Sequence, residues 1–497
     1  MAADLIFHGG PIYGVEDADA LAVRCGKIFA VGKSSEILKL RGPQTKLFPL
    51  EGRPLLPGFF DGHVHFLKLG LDRTFFVDLS GARSLGEALE LLRARAEARP
   101  GEWVVGRGWD ESRWPERRYL ERADLDRAVP KQPCCAVRVD GHMMVANTLA
   151  LARCVRPEGQ FVDRERGHLW EEAVTEVLSL VRPERETLIE AAAEASRFAA
   201  SLGVTAVTDM STSPQDLSVY QVAERRGLLR TRIFSYLSIE ALPHLLALGI
   251  QRGFGSEFLR VVGVKAFVDG SLGAKTAALF EPYRAEMGKG RVLLGRGELA
   301  RLWRKAMEAE LPLAIHAIGD RAIEEVLAAA RLAGAGLHDR HRIEHLELPL
   351  PAQLDRMKTL GLIASMQPNF LQWSGPGKMY EDRLGPARDS RIDPHRWVLE
   401  RGIPLAFGSD GMPMGPLYGI GLALDPPHPL QKLTWEEAVR AYTFGSAYAA
   451  FAEDRLGDLS PGKWADLVVL SGHPEKTPWE KIQVEATFVG GEPVFSR

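Results

Sequence analysis

The amino-acid sequence predicts an α/β protein whose main part is a (β/α)8 barrel of the TIM type. The middle of the chain alternates short apolar runs with helical patterns, as parallel βα units do. Segments rich in strands and turns occur at both ends of the chain, and its 497 residues exceed one ordinary core. We therefore expect one large barrel domain and a smaller β-domain.

Eight apolar runs are candidates for the barrel strands, and four longer patterns between them are candidates for helices. The predicted strands are 58–65, 75–79, 204–209, 261–268, 313–316, 342–345, 362–367 and 405–409. The predicted helices are 84–98, 184–202, 296–310 and 322–333.

The same patterns divide the chain into domains. Residues 1–56 and 455–497 are expected to form one small β-sandwich domain that both termini build together, and residues 57–454 the (β/α)8 barrel. More than a hundred residues separate residue 79 from residue 204, too many for a loop without structure. We predict an inserted α+β subdomain at about 100–180.

Composition excludes several classes of protein. Apolar residues make up 45% of the chain, charged residues 26%, and the net charge is −3, which is typical of a globular protein and not of a nucleic-acid binder. Neither a signal peptide nor an apolar run of 18 residues is visible. The four cysteines lack the spacing of a disulfide scaffold. We expect a cytoplasmic protein with no membrane partner. We also expect a homodimer, because dimers are the commonest oligomers of soluble proteins.

Two histidines give the first indication of chemistry. His63 and His65 follow the apolar run that begins at Leu55, at the predicted end of a strand. Residues i and i+2 of a strand point to the same face, so both imidazoles enter one space. Imidazole is a common ligand of zinc and other transition metals, although an HxH pair also occurs without metal.

Three further polar residues lie where apolar runs end: His316, His345 and Asp410. A barrel brings the C-terminal ends of its strands around one mouth, where such folds keep their active sites. Buried polar groups without partners are costly, and a shared metal ion removes that cost. Together with the HxH pair, these residues predict a metal site.

Lys265 interrupts the strongly apolar run 259–268. A buried ammonium needs a partner or altered chemistry. One reading is a lysine that reacts with carbon dioxide to give a carbamate bridging two metal ions. The other is a side chain that reaches solvent or pairs with Asp269 or Glu281.

These residues resemble the amidohydrolase superfamily, and within it the YtcJ-like branch (amidohydrolase family 3), which includes N-substituted formamide deformylases. The resemblance rests on motifs in the expected order over nearly the whole chain: Pro57-Gly-Phe-Phe-Asp-Gly-His-Val-His65, Val264-Lys-Ala-Phe-Val-Asp-Gly270, His316-Ala-Ile-Gly-Asp320, Arg342-Ile-Glu-His345, Gln367-Pro368, Gly408-Ser-Asp410 and Pro461-Gly-Lys-Trp-Ala-Asp466.

The resemblance implies roles for the six residues. His63 and His65 would hold the more buried metal ion, and His316 and His345 a second one. Carboxylated Lys265 would bridge the two, and Asp410 would bind metal and the attacking water. Zinc is the expected metal, as one ion or two.

Four residues are weaker candidates for substrate binding. His142 lies in a Gly-His segment that the branch shares, although a structural role in the insertion fits as well. Asp269 follows the strand of Lys265, and Trp109 and Trp373 lie in loop-like segments with other aromatic residues. Glu344 is expected to point to the other side of its strand from His345, in a structural role.

The expected activity is hydrolysis of a carbon–nitrogen bond, other than a peptide bond, in a small molecule. Asp410 would accept the proton of the water and pass it to the leaving amine. Two alternatives stay open: a cyclic amide or ester hydrolase or a deaminase with the same site, and a metal-containing binding or regulatory protein without turnover. A binding protein has no use for the proton transfer at Asp410, which favours an enzyme.

Overall fold

The computed structural model describes residues 2–139, 141–159, 161–286, 288–473 and 477–497. The chain forms two compact units. One combines Met1–Phe66 with Ser196–Arg497, and the other is Leu67–Ala195. The second unit is wider at both ends than the predicted insertion at 100–180.

A parallel sheet forms the barrel of the first unit. Among the described residues it has eight strands in sequential order, each paired with its neighbours in the chain. They are β1 Phe59–Val64, β2 Val204–Thr212, β3 Arg232–Ser238, β4 Leu259–Phe267, β5 Leu313–Ala317, β6 Arg342–His345, β7 Ile363–Met366 and β8 Leu405–Phe407. The predicted (β/α)8 fold class is confirmed.

Both faces of these strands are covered, which is why they read as nearly continuous apolar runs. In β4, for example, the four residues before Lys265 are all buried. Helices cover the outer face. Those of the first unit with at least six residues are Pro214–Arg225, Leu242–Leu248, Arg296–Glu308, Asp320–Ala333, Pro351–Thr359, Met379–Leu384, His395–Glu400, Pro416–Leu424 and Trp435–Arg440, and Arg185–Ser201 leads into β2.

The helix Asp320–Ala333 shows why these segments fold as they do. Ile323, Val326, Leu327 and Ala330 recur at spacings of three and four residues, and all are buried. The helix ends at Gly334, whose φ of 78° is the left-handed conformation that glycine adopts most easily at a C-terminus. One apolar stripe and one stop signal thus determine the element.

One predicted barrel strand is wrong. Residues 75–79 contribute only the short strand Val77–Asp78, and this strand belongs to the sheet of the second unit. The corresponding barrel strand is β3, Arg232–Ser238, between β2 and β4. Each segment has four apolar residues, so composition alone does not show which of them pairs with the barrel.

The two termini together form a small pair of sheets. One contains Leu5–His8, Ala20–Arg24, Lys27–Gly32 and Lys46–Pro49. The other contains Leu55–Pro57, Leu467–Leu470, Val484–Val489 and Glu492–Ser496. Phe7 and Phe488 pack edge to face at 4.9 Å between them, so the core of this part draws on both ends of the chain.

The second unit has a mixed sheet of its own. Its described strands are Val77–Asp78, Val104–Trp109, Cys134–Arg138, Met143–Ala146, Val162–Asp163 and His168–Trp170. Its helices include Leu85–Ala98, Arg122–Ala128 and Glu172–Leu180, so the predicted helix 84–98 belongs here and not to the barrel. Cys134, Cys135 and Cys154 are buried in this unit as free thiols.

No helix among the described residues combines the length and the apolar character needed to cross a membrane.

A buried ion pair joins β3 to the C-terminal segment. The guanidinium of Arg232 donates two hydrogen bonds to the carboxylate of Asp466, at 2.8 and 3.0 Å, and its carbon lies 3.9 Å from the ring centroid of Trp464. The two side chains are 2% and 1% exposed. Asp466 also accepts a hydrogen bond from the backbone of Gly490, so one carboxylate holds two elements of the β-domain against the barrel.

We expect Asp466→Asn to lower the free energy of unfolding by about 3–5 kcal/mol, because it leaves the Arg232 charge buried without a counter-charge. Urea denaturation measures the difference. The matched control is Glu51→Gln, which removes an ion pair whose glutamate is 71% exposed, and we expect an effect below about 1 kcal/mol. Similar losses in both variants would contradict the assigned role of Asp466.

Candidate metal centre

The C-terminal ends of the barrel strands bring four histidine rings together. His63 lies in β1 and His65 directly after it, His316 lies in β5, and His345 ends β6. Ring centroids are 5.9 Å apart for His63 and His65, 4.8 Å for His63 and His345, and 4.5 Å for His316 and His345. The structure therefore places all four predicted histidines in one cluster at the mouth of the barrel.

Three residues form the compact part of this cluster. The Nε2 atoms of His63 and His65 lie 3.7 and 3.5 Å from Oδ1 of Asp410. One ligand atom from each residue lies within 4.8 Å of the others. Two imidazoles and a carboxylate at this separation suit a divalent transition metal such as zinc.

Asp410 reaches this position through the junction of β1 and β8, the two ends of the barrel sheet. The backbone N–H groups of Ser409 and Asp410 donate to the carbonyl of His63, at 3.1 and 2.7 Å. Asp410 itself has a φ of 53°, a left-handed conformation that turns the chain directly after Ser409. The junction thus sets the distance between His63 and Asp410.

The buried carboxylate of Asp61 strengthens the same junction. Its Oδ1 accepts hydrogen bonds from the backbone of His63 at 3.2 Å and of Ser409 at 2.9 Å, and its Oδ2 accepts one from the Ser409 hydroxyl. Burial raises the pKa of Asp61 to about 6, and these hydrogen bonds oppose that shift. Asp61 therefore positions two parts of the cluster without belonging to it.

Two glycines allow the strands to approach this closely. A Cβ atom on Gly408 would lie 2.3 Å from the backbone nitrogen of His63, and one on Gly62 would lie 2.8 Å from the carbonyl oxygen of Phe407. Real Cβ contacts are longer than either distance. The glycines of the two motifs that carry His63 and Asp410 are thus required by close packing.

Lys265 lies in β4 beside the cluster and is 1% exposed. Among the described residues, its Nζ atom and Nε2 of His63 have no hydrogen-bond partner. Burial lowers the pKa of Lys265 to about 8, whereas the nearby carboxylates of Glu344 and Asp410 act in the opposite direction. Two unpartnered buried nitrogen atoms facing one cluster fit a site that holds a metal ion.

The other two histidines are oriented by hydrogen bonds. His345 Nδ1 lies 2.7 Å from Oε1 of Gln367, and His316 Nε2 lies 3.0 Å from the carbonyl of Gly270. The remaining nitrogens, Nε2 of His345 and Nδ1 of His316, are left to act as ligand atoms. Burial and the neighbouring Lys265 lower the pKa of His316 to about 3, so its ring is neutral at pH 7.

Glu344 has a different place from the one the sequence predicts. Its Oε2 lies 2.6 Å from Nδ1 of His63, inside the barrel. Strand alternation would put Glu344 and His345 on opposite faces, but His345 has a φ of 71°, which breaks the alternation. Both side chains consequently reach the interior, and Glu344 orients a histidine of the cluster.

Arg342 completes this arrangement from below. Its guanidinium binds both oxygens of Glu344, the Ser365 hydroxyl at 2.6 Å and the carbonyl of Gly62 at 2.6 Å. Glu344 and Arg342 are both fully buried. The arginine holds the pKa of Glu344 below its usual value against the effect of burial, so the group facing His63 is a carboxylate.

His65 is oriented by β2. Its Nδ1 lies 2.9 Å from the carbonyl of Met210, and the next residue, Phe66, donates its backbone N–H to Asp209 at 2.7 Å. The second oxygen of Asp209 accepts hydrogen bonds from Thr212 and Tyr220. Asp209, like Asp61, Arg342 and Glu344, supports the cluster, and sequence analysis assigned none of the four to it.

Asp269 and Trp373 are near the cluster in different ways. Asp269 accepts three backbone hydrogen bonds, from Ala278, Ile318 and Gly319, so it shapes loops and has little capacity left for a substrate. Trp373 packs on Phe370 at 5.0 Å between ring centroids, and Phe370 stacks on His345 at 6.0 Å. Trp373 thus belongs to an aromatic row that leads to the cluster.

The other two candidates lie in the second unit. Trp109 is fully buried against Trp114, and its indole N–H donates to the carbonyl of Ala136. Trp109 ends the strand Val104–Trp109, so the loop position that motivated this prediction is wrong. A side chain packed in a core also has no exposed ring face for a substrate. His142 is exposed and lies 3.1 Å from Glu171; its role in substrate binding stays a prediction.

Comparison with known proteins identifies the relatives of this fold and site. A sequence profile described as "Amidohydrolase family" matches residues 46–495. The chain belongs to the amidohydrolase family. It is 31% identical to Protein LONG AFTER FAR-RED 3 of Arabidopsis thaliana, over 100% of this chain and 92% of that protein. It is 30% identical to the putative amidohydrolase YtcJ of Bacillus subtilis, over 99% of each.

Two further comparisons extend this result. The chain is 25% identical to an N-substituted formamide deformylase of Arthrobacter pascens, over 95% of this chain and 94% of that enzyme. A metal-dependent hydrolase of Pyrococcus furiosus has a crystal structure with a TM-score of 0.86, 30% identity, and coverage of 95% and 99%. This member of the amidohydrolase family is therefore a hydrolase, as its sequence predicts, and its fold matches that of the metal-dependent hydrolase from Pyrococcus furiosus.

We expect Gly408→Ala to destabilise this amidohydrolase by about 1–3 kcal/mol, because the added methyl group forces β8 away from His63. Thermal unfolding measures the change. Gly297→Ala is the control, since nothing lies within 4 Å of a Cβ at that helical position, and we expect unchanged or higher stability. A normal melting temperature for Gly408→Ala would show that the junction tolerates a wider spacing.

Proposed function

We propose that this amidohydrolase hydrolyses a carbon–nitrogen bond, other than a peptide bond, in a small molecule, with zinc bound at the barrel mouth. The observation that carries the proposal is the group of His63, His65 and Asp410, whose ligand atoms lie within 4.8 Å of one another. Support for the type of bond comes from the formamide deformylase relative, which covers nearly the whole chain.

His63, His65 and Asp410 are the proposed ligands of one ion, and His316 and His345 those of a second ion when two are present. A bound divalent cation supplies an activated water and polarises the substrate carbonyl. Glu344 accepts a hydrogen bond from the Nδ1–H of His63 and so leaves Nε2 as the ligand atom. The hydrogen bond of His65 to the Met210 carbonyl has the same effect.

Asp410 has the proposed role of proton carrier. Its side chain is 16% exposed, whereas that of His63 is fully buried, so Asp410 faces both the cluster and the space that admits substrate. As a carboxylate it accepts a proton from the attacking water, and as the acid it returns that proton to the leaving nitrogen. An amine leaves readily only when its nitrogen is protonated, which makes this transfer part of the reaction.

Lys265 is the proposed bridge. Its low pKa leaves a substantial neutral fraction near pH 8, and the neutral amine adds to carbon dioxide to give a carbamate and a released proton. The carbamate turns a buried cation into an anion with two oxygen atoms for ligation. The unpartnered Nζ atom supports this proposal, because a lysine in a structural ion pair would have a carboxylate in contact.

We expect about two zinc ions per wild-type chain after reconstitution, and fewer in Lys265→Ala and Lys265→Met, because both variants lack the amine. Elemental analysis of purified protein measures the content, and the methionine variant preserves side-chain volume. Lys305→Ala, at an exposed position of helix Arg296–Glu308, is the control. One zinc ion per chain in the wild type and in every variant would contradict the bridging role of Lys265 and indicate a single-metal enzyme. The absence of zinc from all of these proteins would contradict the metal centre.

We expect the reconstituted enzyme to release amine from members of a panel of formamides and acetamides, and Asp410→Asn to reduce kcat by about 10²–10⁴-fold, the range for general acid–base catalysis. Amine release and metal content are measured together. Asp454→Asn, an exposed carboxylate beside Arg455, is the control. Turnover of the matching esters but not of the amides would show that the enzyme is an ester hydrolase. The absence of turnover by protein with its full metal content would favour a binding protein.

A further inference from the structure

Phe267 is an exposed aromatic residue on the inner side of the barrel rim. It ends β4, two residues after Lys265, and is 40% exposed. Residues i and i+2 of a strand point to the same face, so Phe267 points inward as Lys265 does, one step closer to the rim. The Nζ atom of Lys265 lies 4.9 Å from its ring centroid.

The ring of Phe267 also reaches the cluster itself. It pairs in register with His316 on β5, and the two ring centroids are 5.3 Å apart. One side of the phenylalanine therefore packs on a proposed metal ligand while the other side stays open. This placement differs from that of Phe370, which also packs on a histidine of the cluster but is 4% exposed.

Leu293 extends the apolar surface. Its backbone N–H donates to the carbonyl of Val268 at 2.7 Å, next to Phe267 in the chain, and the residue is 51% exposed. Exposed apolar side chains beside a polar cluster are typical of a ligand pocket, in which a few polar groups orient the ligand and apolar walls bind the rest. The hydrogen bond places the backbone of Leu293 beside the end of β4, where Phe267 lies.

We propose that Phe267 is a specificity-determining residue, and that its ring, with Leu293, binds an apolar acyl substituent of the substrate, aryl or branched alkyl. The inference rests on the proposed function. The reacting carbonyl carbon carries two groups, the leaving nitrogen and the acyl substituent. The nitrogen takes its proton from Asp410, which leaves the acyl substituent for the wall at His316, on which Phe267 packs. A phenyl group there stacks on Phe267 and covers the exposed ring.

Two hydroxamates test this proposal on the zinc-reconstituted protein. Acetohydroxamate and phenylacetohydroxamate chelate metal through the same two oxygens and differ by one phenyl group. We expect calorimetry to show that wild type binds the phenyl compound about tenfold more tightly, equivalent to about 1.4 kcal/mol. In Phe267→Ala the preference falls below about threefold, while metal content and acetohydroxamate affinity stay unchanged.

Phe254→Ala is the matched control. Phe254 precedes β4 at the opposite end of the barrel and is 62% exposed. Its carbonyl accepts a hydrogen bond from the backbone N–H of Val261. We expect it to keep the full phenyl preference. No preference in wild type, or a preference that survives Phe267→Ala, overturns the apolar subsite. Loss of metal or of both affinities in Phe267→Ala overturns it too, since Phe267 then supports the cluster. Failure of both hydroxamates to bind wild type overturns the metal centre itself.

Discussion

The closure of the barrel between β1 and β8 is the constraint on which the rest of the site depends. The carbonyl of His63 accepts hydrogen bonds from Ser409 and Asp410, and the carboxylate of Asp61 binds the backbone of His63 and Ser409. These bonds are short enough only because positions 62 and 408 lack a side chain. The first and last strands of the barrel thus meet at the point where the histidine and the carboxylate of the proposed centre face each other.

A second constraint acts at individual residues. His345 and Asp410 both have positive φ values, 71° and 53°, which cost of order 1–3 kcal/mol each for residues other than glycine. At His345 this conformation lets two consecutive side chains enter the barrel, so that Glu344 orients His63 while His345 joins the cluster. The backbone strain thus gives the site more inward-facing groups than a regular strand can provide.

Much of the fold and of the cluster follows from the sequence, for physical reasons that are specific to each part. Apolar runs that end in polar residues identify His63, His65, His316, His345 and Asp410, because a parallel barrel brings all its strand ends together. The place of Glu344 could not be predicted, because strand alternation holds only while φ is negative. The positive φ of His345 breaks the alternation, and its residue type does not indicate that conformation. The strand 232–238 was missed because it has four apolar residues among seven, against four among five in 75–79, and only strand pairing shows which of them belongs to the barrel. Phe267, in contrast, follows from the i, i+2 rule that identified His65.

Hydrogen bonds connect the buried charged groups of the centre in a series that runs from Arg342 through Glu344 to His63. Arg342, fully buried, is neutralised by Glu344, and Glu344 in turn accepts a hydrogen bond from Nδ1 of His63. The series ends at Nε2 of His63 and Nζ of Lys265, which have no hydrogen-bond partner among the described residues. Buried polar atoms without a partner cost stability, and at the mouth of the barrel a bound metal cation would restore it.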